Sequence, residues 1–139
     1  MRPDRFRTLL LDATPTHPGA EIRALTEADR ARFPCGVEVR LAGKTTRWQI
    51  VAVSAPGDRY DQPEASPVLG PKPAPPEQAP AAAGTPAHLE SVLAAAVLAA
   101  DPGEFAAVTL YSQSDQPPEI GHGFTLACHN GAKIMLYHR

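Results

Sequence analysis

The first half of the chain alternates apolar and polar residues on both sides of one turn signal, Gly43-Lys44. Glycine supplies the positive φ that a two-residue turn needs, so the pattern predicts a hairpin over residues 37–53. The predicted pairs on its apolar side are Leu41 with Thr46, Val39 with Trp48 and Val37 with Ile50. The predicted pairs on its polar side are Arg40 with Arg47 and Glu38 with Gln49. One side is therefore expected to be buried and the other to face solvent.

A second hairpin is predicted over residues 124–138, around Asn130-Gly131, which is the strongest short turn signal in the chain. Pairing outward from a two-residue turn here produces two sides that are both largely apolar. One side carries Phe124, Leu126, Cys128, Met135 and Tyr137, and the other carries Thr125, Ala127, Ile134 and Leu136. A strand pair that is apolar on both sides is either covered twice or lies in a subunit interface. We therefore expect self-association through the second set.

Shorter signals predict the remaining elements. Thr26 begins a capping box, which indicates a short helix that ends near Phe33, before a proline. Thr85-Pro86 provides an N-cap and a first helical residue, and apolar residues then recur at helical spacing over residues 86–100. Short apolar runs bounded by turn formers predict strands at Phe6–Asp12 and Phe105–Tyr111.

Residues 62–86 differ from their surroundings, because eight of these 25 residues are proline and none is aromatic. Such a segment buries too little apolar surface to offset the entropy of ordering it, so we predict a flexible linker with polyproline II character that adds nothing to a core. The chain then divides into a β-rich half at 1–61, the linker at 62–86 and an αβββ half at 87–139. The two halves are expected to form one composite domain.

The predicted fold class is α+β. We expect an antiparallel or mixed sheet of five to six strands, built on the hairpins 37–53 and 124–138, with one main helix over residues 86–100 packed on it. Each half has one lone strand, one helix and one hairpin, but the predicted order is β-α-ββ in the first half and α-β-ββ in the second. No residue-level repeat accompanies this likeness.

Composition narrows the function classes without selecting one. The 139 residues carry a formal net charge of −2, with a positive first half and a negative second half. This is far from the strongly basic footprint of dedicated nucleic-acid binders. The chain has two cysteines and no apolar run long enough for a signal peptide or a membrane span, which predicts a cytoplasmic protein with reduced thiols. The heavy use of Ala, Pro, Arg and Gly is typical of a bacterial or phage gene.

Arg40, Lys44 and Arg47 are predicted to form a basic ridge on the first hairpin. Like charges that face each other across a sheet cost stability, and an anionic partner or a phosphate backbone would relieve the repulsion. Alternatively, Glu38 neutralises Arg40, and the ridge is simply solvated.

His122 is the most enzyme-like feature, because it lies between two glycines at the start of a strand and is a candidate general acid or base. Ser112, Ser114 and Asp115 precede it in a loop, but no nucleophile motif accompanies them. The spacing of His122, His129 and His138 does not allow one shared ion, and no zinc or nucleotide motif is present, so no metal or cofactor is predicted.

Three hypotheses follow. The first is a small non-enzymatic binding or assembly protein that forms a homodimer through its C-terminal hairpin, as an accessory of a phage or mobile element. The second is a weak nucleic-acid or anion binder that uses the basic ridge. The third is a small enzyme that uses His122. A membrane partner is not expected in any of them.

Overall fold

A computed structural model describes residues 1–78 and 80–139. Its strands are β1 (Glu21–Ala24), β2 (Gly36–Leu41), β3 (Lys44–Val53), β4 (Phe105–Leu110), β5 (Gly123–Cys128) and β6 (Lys133–His138). Its α-helices are α1 (Pro3–Asp12), α2 (Glu27–Arg32) and α3 (Pro86–Ala100). The six strands form one antiparallel sheet in the order β1-β2-β3-β6-β5-β4. The predicted α+β class, the size of the sheet and the main helix are confirmed.

Each half of the chain contributes one three-stranded antiparallel meander to this sheet. The meander β1-β2-β3 joins the meander β6-β5-β4 through antiparallel pairing of β3 with β6. The first half runs α1-β1-α2-β2-β3, and the second runs α3-β4-β5-β6 with a single 3₁₀ turn (Tyr111–Gln113) after β4. In both halves a helix precedes three strands, although α2 lies between β1 and β2 in the first half. The order α-β-ββ predicted for the second half is confirmed. The first half contains the predicted order β-α-ββ as β1-α2-β2-β3, but α1 precedes it and its lone strand is Glu21–Ala24.

The difference arises at residues 3–12, which form α1 rather than the predicted strand. Pro3 opens the helix and Asp4 lies in its first turn, and both residues are favourable at a helix N-terminus. Phe6 and Leu10 are four residues apart and completely buried, so they mark the inner face of the helix. The run Leu9-Leu10-Leu11 conceals this spacing, because three consecutive apolar residues fit a buried strand equally well.

The first hairpin turns one position earlier than the sequence suggests. Ala42 and Gly43 both have positive φ, 52° and 72°, as a type I′ turn requires. The observed pairs are Leu41 with Lys44, Val39 with Thr46, Val37 with Trp48, Arg40 with Thr45 and Glu38 with Arg47. This shift of two residues keeps every side chain on its predicted face but changes its partner. Arg40 therefore does not face Arg47.

The second hairpin differs from its prediction by one residue. Its turn has three residues, 129–131, and is closed by the amide of Cys128, which donates to the carbonyl of Ala132 over 2.8 Å. The observed pairs include Leu126 with Ile134 and Phe124 with Leu136. A shift of one residue moves a whole strand to the opposite face, so all the large aliphatic and phenylalanine side chains of this hairpin except Met135 share the buried face. The expectation of two equally apolar sides was wrong.

A single hydrophobic core lies between the sheet and the helices α1 and α3. Its largest fully buried side chains include Trp48, Phe6, Phe105 and Phe124, which come from both halves of the chain. The opposite face of the sheet carries the half-exposed and charged positions.

A buried carboxylate links α3 to the sheet through hydrogen bonds. Glu90 is completely buried, and its carboxylate accepts hydrogen bonds from the backbone amides of Ser112 and Gly123 and from the Ser112 hydroxyl. A buried charge is tolerated when several donors satisfy it, as they do here.

The proline-rich segment is held more closely than the sequence predicts. Glu64 pairs with Arg5 of α1, and Arg5 also pairs with the buried Glu104. The amide of Gly70 donates to the carbonyl of Gly103 over 2.9 Å. Further along, the carbonyls of Pro71 and Glu77 lie within 3.0 and 2.9 Å of side-chain nitrogens of His129 and Gln113.

The same segment also shows a regular pattern of burial. Gly70, Pro73 and Pro76 are partly buried, while the residues between them are exposed. A three-residue period is that of a polyproline II helix with one ridge against the protein. The segment therefore lies along the domain, in contact with residues of both halves.

Candidate functional site

An open cleft of about 920 Å³ lies where β3 begins and β6 ends. Four parts of the chain build it: the α2 region, the start of β3, the loop before β5 and the end of β6. Its lining residues are Asp29, Arg32, Phe33, Arg47, Ile120, His138 and Arg139. The amide of Arg139 donates to the carbonyl of Arg47 over 2.9 Å and so continues the β3–β6 pairing into the cleft.

Arg47 and Asp29 form the fixed centre of the cleft. Asp29 lies in the first turn of α2, where Thr26 caps the helix and its hydroxyl donates to the Asp29 carboxylate over 2.8 Å. Nε of Arg47 lies 2.8 Å from an Asp29 oxygen. The Arg47 guanidinium beside it lowers the pKa of Asp29, and Asp29 in turn raises the pKa of Arg47. Both groups are therefore charged near neutral pH.

The other two guanidinium groups have no such partner. Within residues 1–78 and 80–139, neither Arg32 nor Arg139 forms an ion pair with a carboxylate side chain. The Arg139 guanidinium instead lies 6.0 Å from the ring centre of Phe33 and 5.7 Å from that of Tyr137. These cation–π contacts restrict its orientation without neutralising its charge.

His138 lines the cleft together with the three guanidinium groups, and His122 is its neighbour. The amide of His138 donates to the carbonyl of His122 over 2.9 Å. The His138 ring packs edge-on against the Trp48 ring, with 5.6 Å between centroids. Burial lowers the pKa of His138, and the nearby His122 lowers it further. Nδ1 of His122 is buried and has no hydrogen-bond partner in the described part of the chain.

The structure divides the three residues of the predicted basic ridge. Arg47 lines the cleft, whereas Arg40 and Lys44 do not. Nε of Arg40 donates to the carboxylate of Glu38 over 2.9 Å, which agrees with the alternative in which Glu38 neutralises it. Lys44 is exposed beside the turn. The prediction placed Arg40 opposite Arg47 through a register that the hairpin does not adopt. An anion contact by Arg40 or Lys44 stays a prediction.

Arg32 and Arg139 were missed by sequence reasoning. Arg32 is one of several basic residues around a short helix, and Arg139 follows the last strand. The pairing of β3 with β6 brings Arg139 to Arg47, and the ion pair between Asp29 and Arg47 holds α2, with Arg32, beside β3. Neither contact is visible in the local sequence.

The four predicted self-association residues do not share a surface. Ile134 and Leu136 are completely buried in the core, so they are not available to a partner, and this part of the prediction was wrong. Thr125 and Ala127 lie on the opposite face and are half-buried. There the hydroxyl of Thr125 is 3.1 Å from that of Tyr111.

His122 is not joined to a nucleophile. The Ser112 hydroxyl donates to the carboxylate of Glu90, and the Ser114 hydroxyl accepts from the amide of Gln116. Burial raises the pKa of the Cys128 thiol to about 11, and it also raises that of Cys35, so neither thiol is activated. The described residues contain no group of three or more His, Cys, Asp or Glu that could hold a metal ion.

Comparisons with family models, with curated proteins and with solved structures found no match to this chain. No helix in the described ranges is long and apolar enough to cross a membrane. A function for this chain is therefore inferred from the chemistry of the cleft.

Proposed function

We propose that this chain is a non-enzymatic binding protein that holds an anionic ligand in the cleft formed by Arg32, Arg47 and Arg139. The observation that supports this proposal is the imbalance of charge in the cleft lining: three guanidinium groups accompany a single carboxylate side chain. Guanidinium groups present planar, permanently charged donors that match the geometry of carboxylate, phosphate and sulfate.

Two of the three donors are already positioned. The ion pair with Asp29 holds Arg47, and the rings of Phe33 and Tyr137 hold Arg139. A side chain that is ordered before binding loses less conformational entropy when the ligand arrives. The cleft is thus suited to a small anion that contacts several guanidinium groups at once.

The test is titration of the purified protein with inorganic sulfate, followed by calorimetry or by NMR of the arginine side chains. Arg32→Gln and Arg139→Gln leave the Arg47–Asp29 pair intact, and each is expected to weaken binding about tenfold, as loss of one charge-assisted hydrogen bond does. Arg30→Gln is the matched control on the same helix, and Arg59→Gln is a second control at an exposed ion pair. Equal weakening by all four variants would show that only overall charge matters and would contradict a defined site.

Self-association through the uncovered sheet face is a second candidate. One observation favours it: on this face Val51 lies directly opposite Met135, and Val53 beside them is 51% exposed. Thr125 also lies opposite Met135 and extends the same row into β5. A second copy of the chain would cover this row on both molecules with the same residues, as an isologous interface requires.

Light scattering over a wide concentration range tests this candidate. The wild-type chain is expected to form dimers, and Val51→Lys with Met135→Lys to remain monomeric. Thr109→Lys, on the same face at the edge strand, is the matched control. A wild-type chain that stays monomeric at the highest concentration would exclude the dimer.

A further inference from the structure

We infer that the ligand of this cleft is a dianionic oxyanion, a terminal phosphoryl group or free sulfate, and that His138 takes up a proton when it binds. This inference rests on the proposed anion-binding function and refines it. It makes His138 the group that sets how tightly the cleft holds its ligand at a given pH.

The surroundings of His138 support this role. From α2 the cleft presents Asp29 and Arg32, from β3 it presents Arg47, and from the end of β6 it presents Arg139. Trp48 covers one edge of the His138 ring and carries no charge.

In the empty cleft these surroundings disfavour a charged imidazole. Protonation of His138 would add positive charge to a partly buried place, next to His122 and in a cleft that three guanidinium groups line. A bound dianion reverses the sign of the local field and favours the charged imidazole.

Coupling between the two events is reciprocal. If the anion makes protonation of His138 more favourable, protonation must increase the affinity for the anion by the same factor. The affinity is therefore expected to rise as the pH falls through the range in which histidine titrates.

The charges in the cleft also indicate the ligand class. The lining side chains carry two more positive charges than negative ones when His138 is neutral. Three guanidinium groups offer more donors than the two oxygens of a carboxylate can accept, whereas a terminal phosphoryl group presents three terminal oxygens and free sulfate presents four. An internal phosphodiester carries only one negative charge, so a terminal group matches this cleft better than a nucleic-acid backbone does.

The experiment uses sulfate as the probe, because sulfate stays a dianion across the pH range while phosphate itself titrates. Sulfate affinity is measured at about pH 5.5 and about pH 8, on either side of the ordinary histidine pKa. We expect the wild-type protein to bind sulfate about tenfold more tightly at the lower pH, a coupling of typical size. NMR titration of the His138 ring is expected to show a higher pKa when sulfate is present.

Variants assign the effect. His138→Gln is expected to bring the ratio of the two affinities closer to one, whereas His129→Gln, which lies near the other end of the sheet, should leave the ratio unchanged. Acetate is expected to bind at least about tenfold more weakly than sulfate because it lacks the second charge.

The possible failures are distinguishable. If sulfate does not bind, or binds without dependence on Arg32 and Arg139, the proposed function itself is wrong. If sulfate binds through these arginines with the same affinity at both pH values, only the proton coupling is wrong. If acetate, or a single-stranded oligonucleotide without a terminal phosphate, binds as well as sulfate, the ligand class is wrong.

Discussion

The half of the sheet formed by β1, β2 and β3 and the half formed by β6, β5 and β4 each follow a helix along the chain but differ in what these helices bury. Helix α1 has ten residues, of which only Phe6 and Leu10 are buried. Helix α3 has fifteen residues, and ten of them are buried, including Glu90. The second half therefore supplies more of the core, and the first half supplies more of the surface charge.

Both hairpins begin in the same way. Gly36 opens the first and Gly123 opens the second, and a Cβ atom at either position would collide with a backbone carbonyl oxygen of the neighbouring strand, that of Trp48 or that of Leu136. The turns differ, with two residues in the first hairpin and three in the second. The comparison shows that close strand packing at the start, and not the turn, is what the two halves share.

The cleft forms where the two halves meet. Asp29, Arg32 and Arg47 come from the first half, and His138 and Arg139 come from the second. Neither half contains the whole cleft, so the cleft forms only when β3 pairs with β6.

The largest expected effect tests whether corresponding buried side chains of the two halves contribute similarly to the free energy of unfolding. Trp48 and Leu136 occupy corresponding places, and both are completely buried. We expect Trp48→Ala to lower the free energy of unfolding by about 4 kcal/mol and Leu136→Ala by about 3 kcal/mol, because each leaves a cavity in proportion to its size. Urea denaturation measures both. Tyr60→Ala, at a 58% exposed aromatic residue, is the surface control and should cost less than about 1 kcal/mol.

Substitution of the opening glycines examines the shared start of the hairpins. Gly36→Ala and Gly123→Ala should each lower the free energy of unfolding by about 3 kcal/mol, since the added Cβ meets backbone atoms that cannot move aside. Gly19→Ala is the control, with positive φ but open space around it, and should cost about 1 kcal/mol. Thermal or urea unfolding gives all three values. A cost at Gly36 and Gly123 no larger than at Gly19 would mean that the hairpins do not share this packing.

A pH measurement tests the ion pairs that connect the halves through the proline-rich segment. The hydrogen bond from Arg5 lowers the pKa of Glu64 from its ordinary 4.5 to about 2. A carboxylate with a lowered pKa contributes stability above its ordinary pKa, and this contribution is lost as the pH falls from about 4.5 toward about 2. Glu64→Gln should therefore remove part of the acid-induced loss of stability seen in urea denaturation at about pH 6 and about pH 3. The exposed Glu119→Gln should change nothing, and an equal effect there would argue against the ion cluster.

The smallest expected effect concerns His17 of the first half and His88 of the second, whose rings are 5.0 Å apart and perpendicular. Burial lowers the pKa of His88, and His17 lowers it further. The neutral ring is the stable form, in keeping with the amide of Gly84, which donates to its Nδ1. Stability is therefore complete above the ordinary value of 6.5 and decreases as the pH falls below it.

NMR titration of the His88 ring measures this directly. In His17→Gln the pKa of His88 should rise toward its ordinary value, because one like charge has been removed. In His129→Gln it should not change. An unchanged His88 titration in the first variant would show that the two rings are electrostatically independent.

Local signals determined several elements correctly. The caps at Thr26 and Thr85 predict the starts of α2 and α3, because a side-chain hydroxyl that accepts from a nearby amide acts within four residues. The alternation in residues 37–53 predicts which face of the first hairpin is buried, and a register error of two residues leaves that answer unchanged.

The sequence by itself thus determined the fold class, the main helix and the inner face of one hairpin. The register of the second hairpin was decided by tertiary packing: Asn130-Gly131 fits either a two- or a three-residue turn, and only burial of Phe124, Leu126, Ile134 and Leu136 on one face selects between them. The cleft was decided in the same way. Arg139 is far along the chain from Arg32 and Arg47, and the antiparallel pairing of β3 with β6 is the physical reason that it meets them.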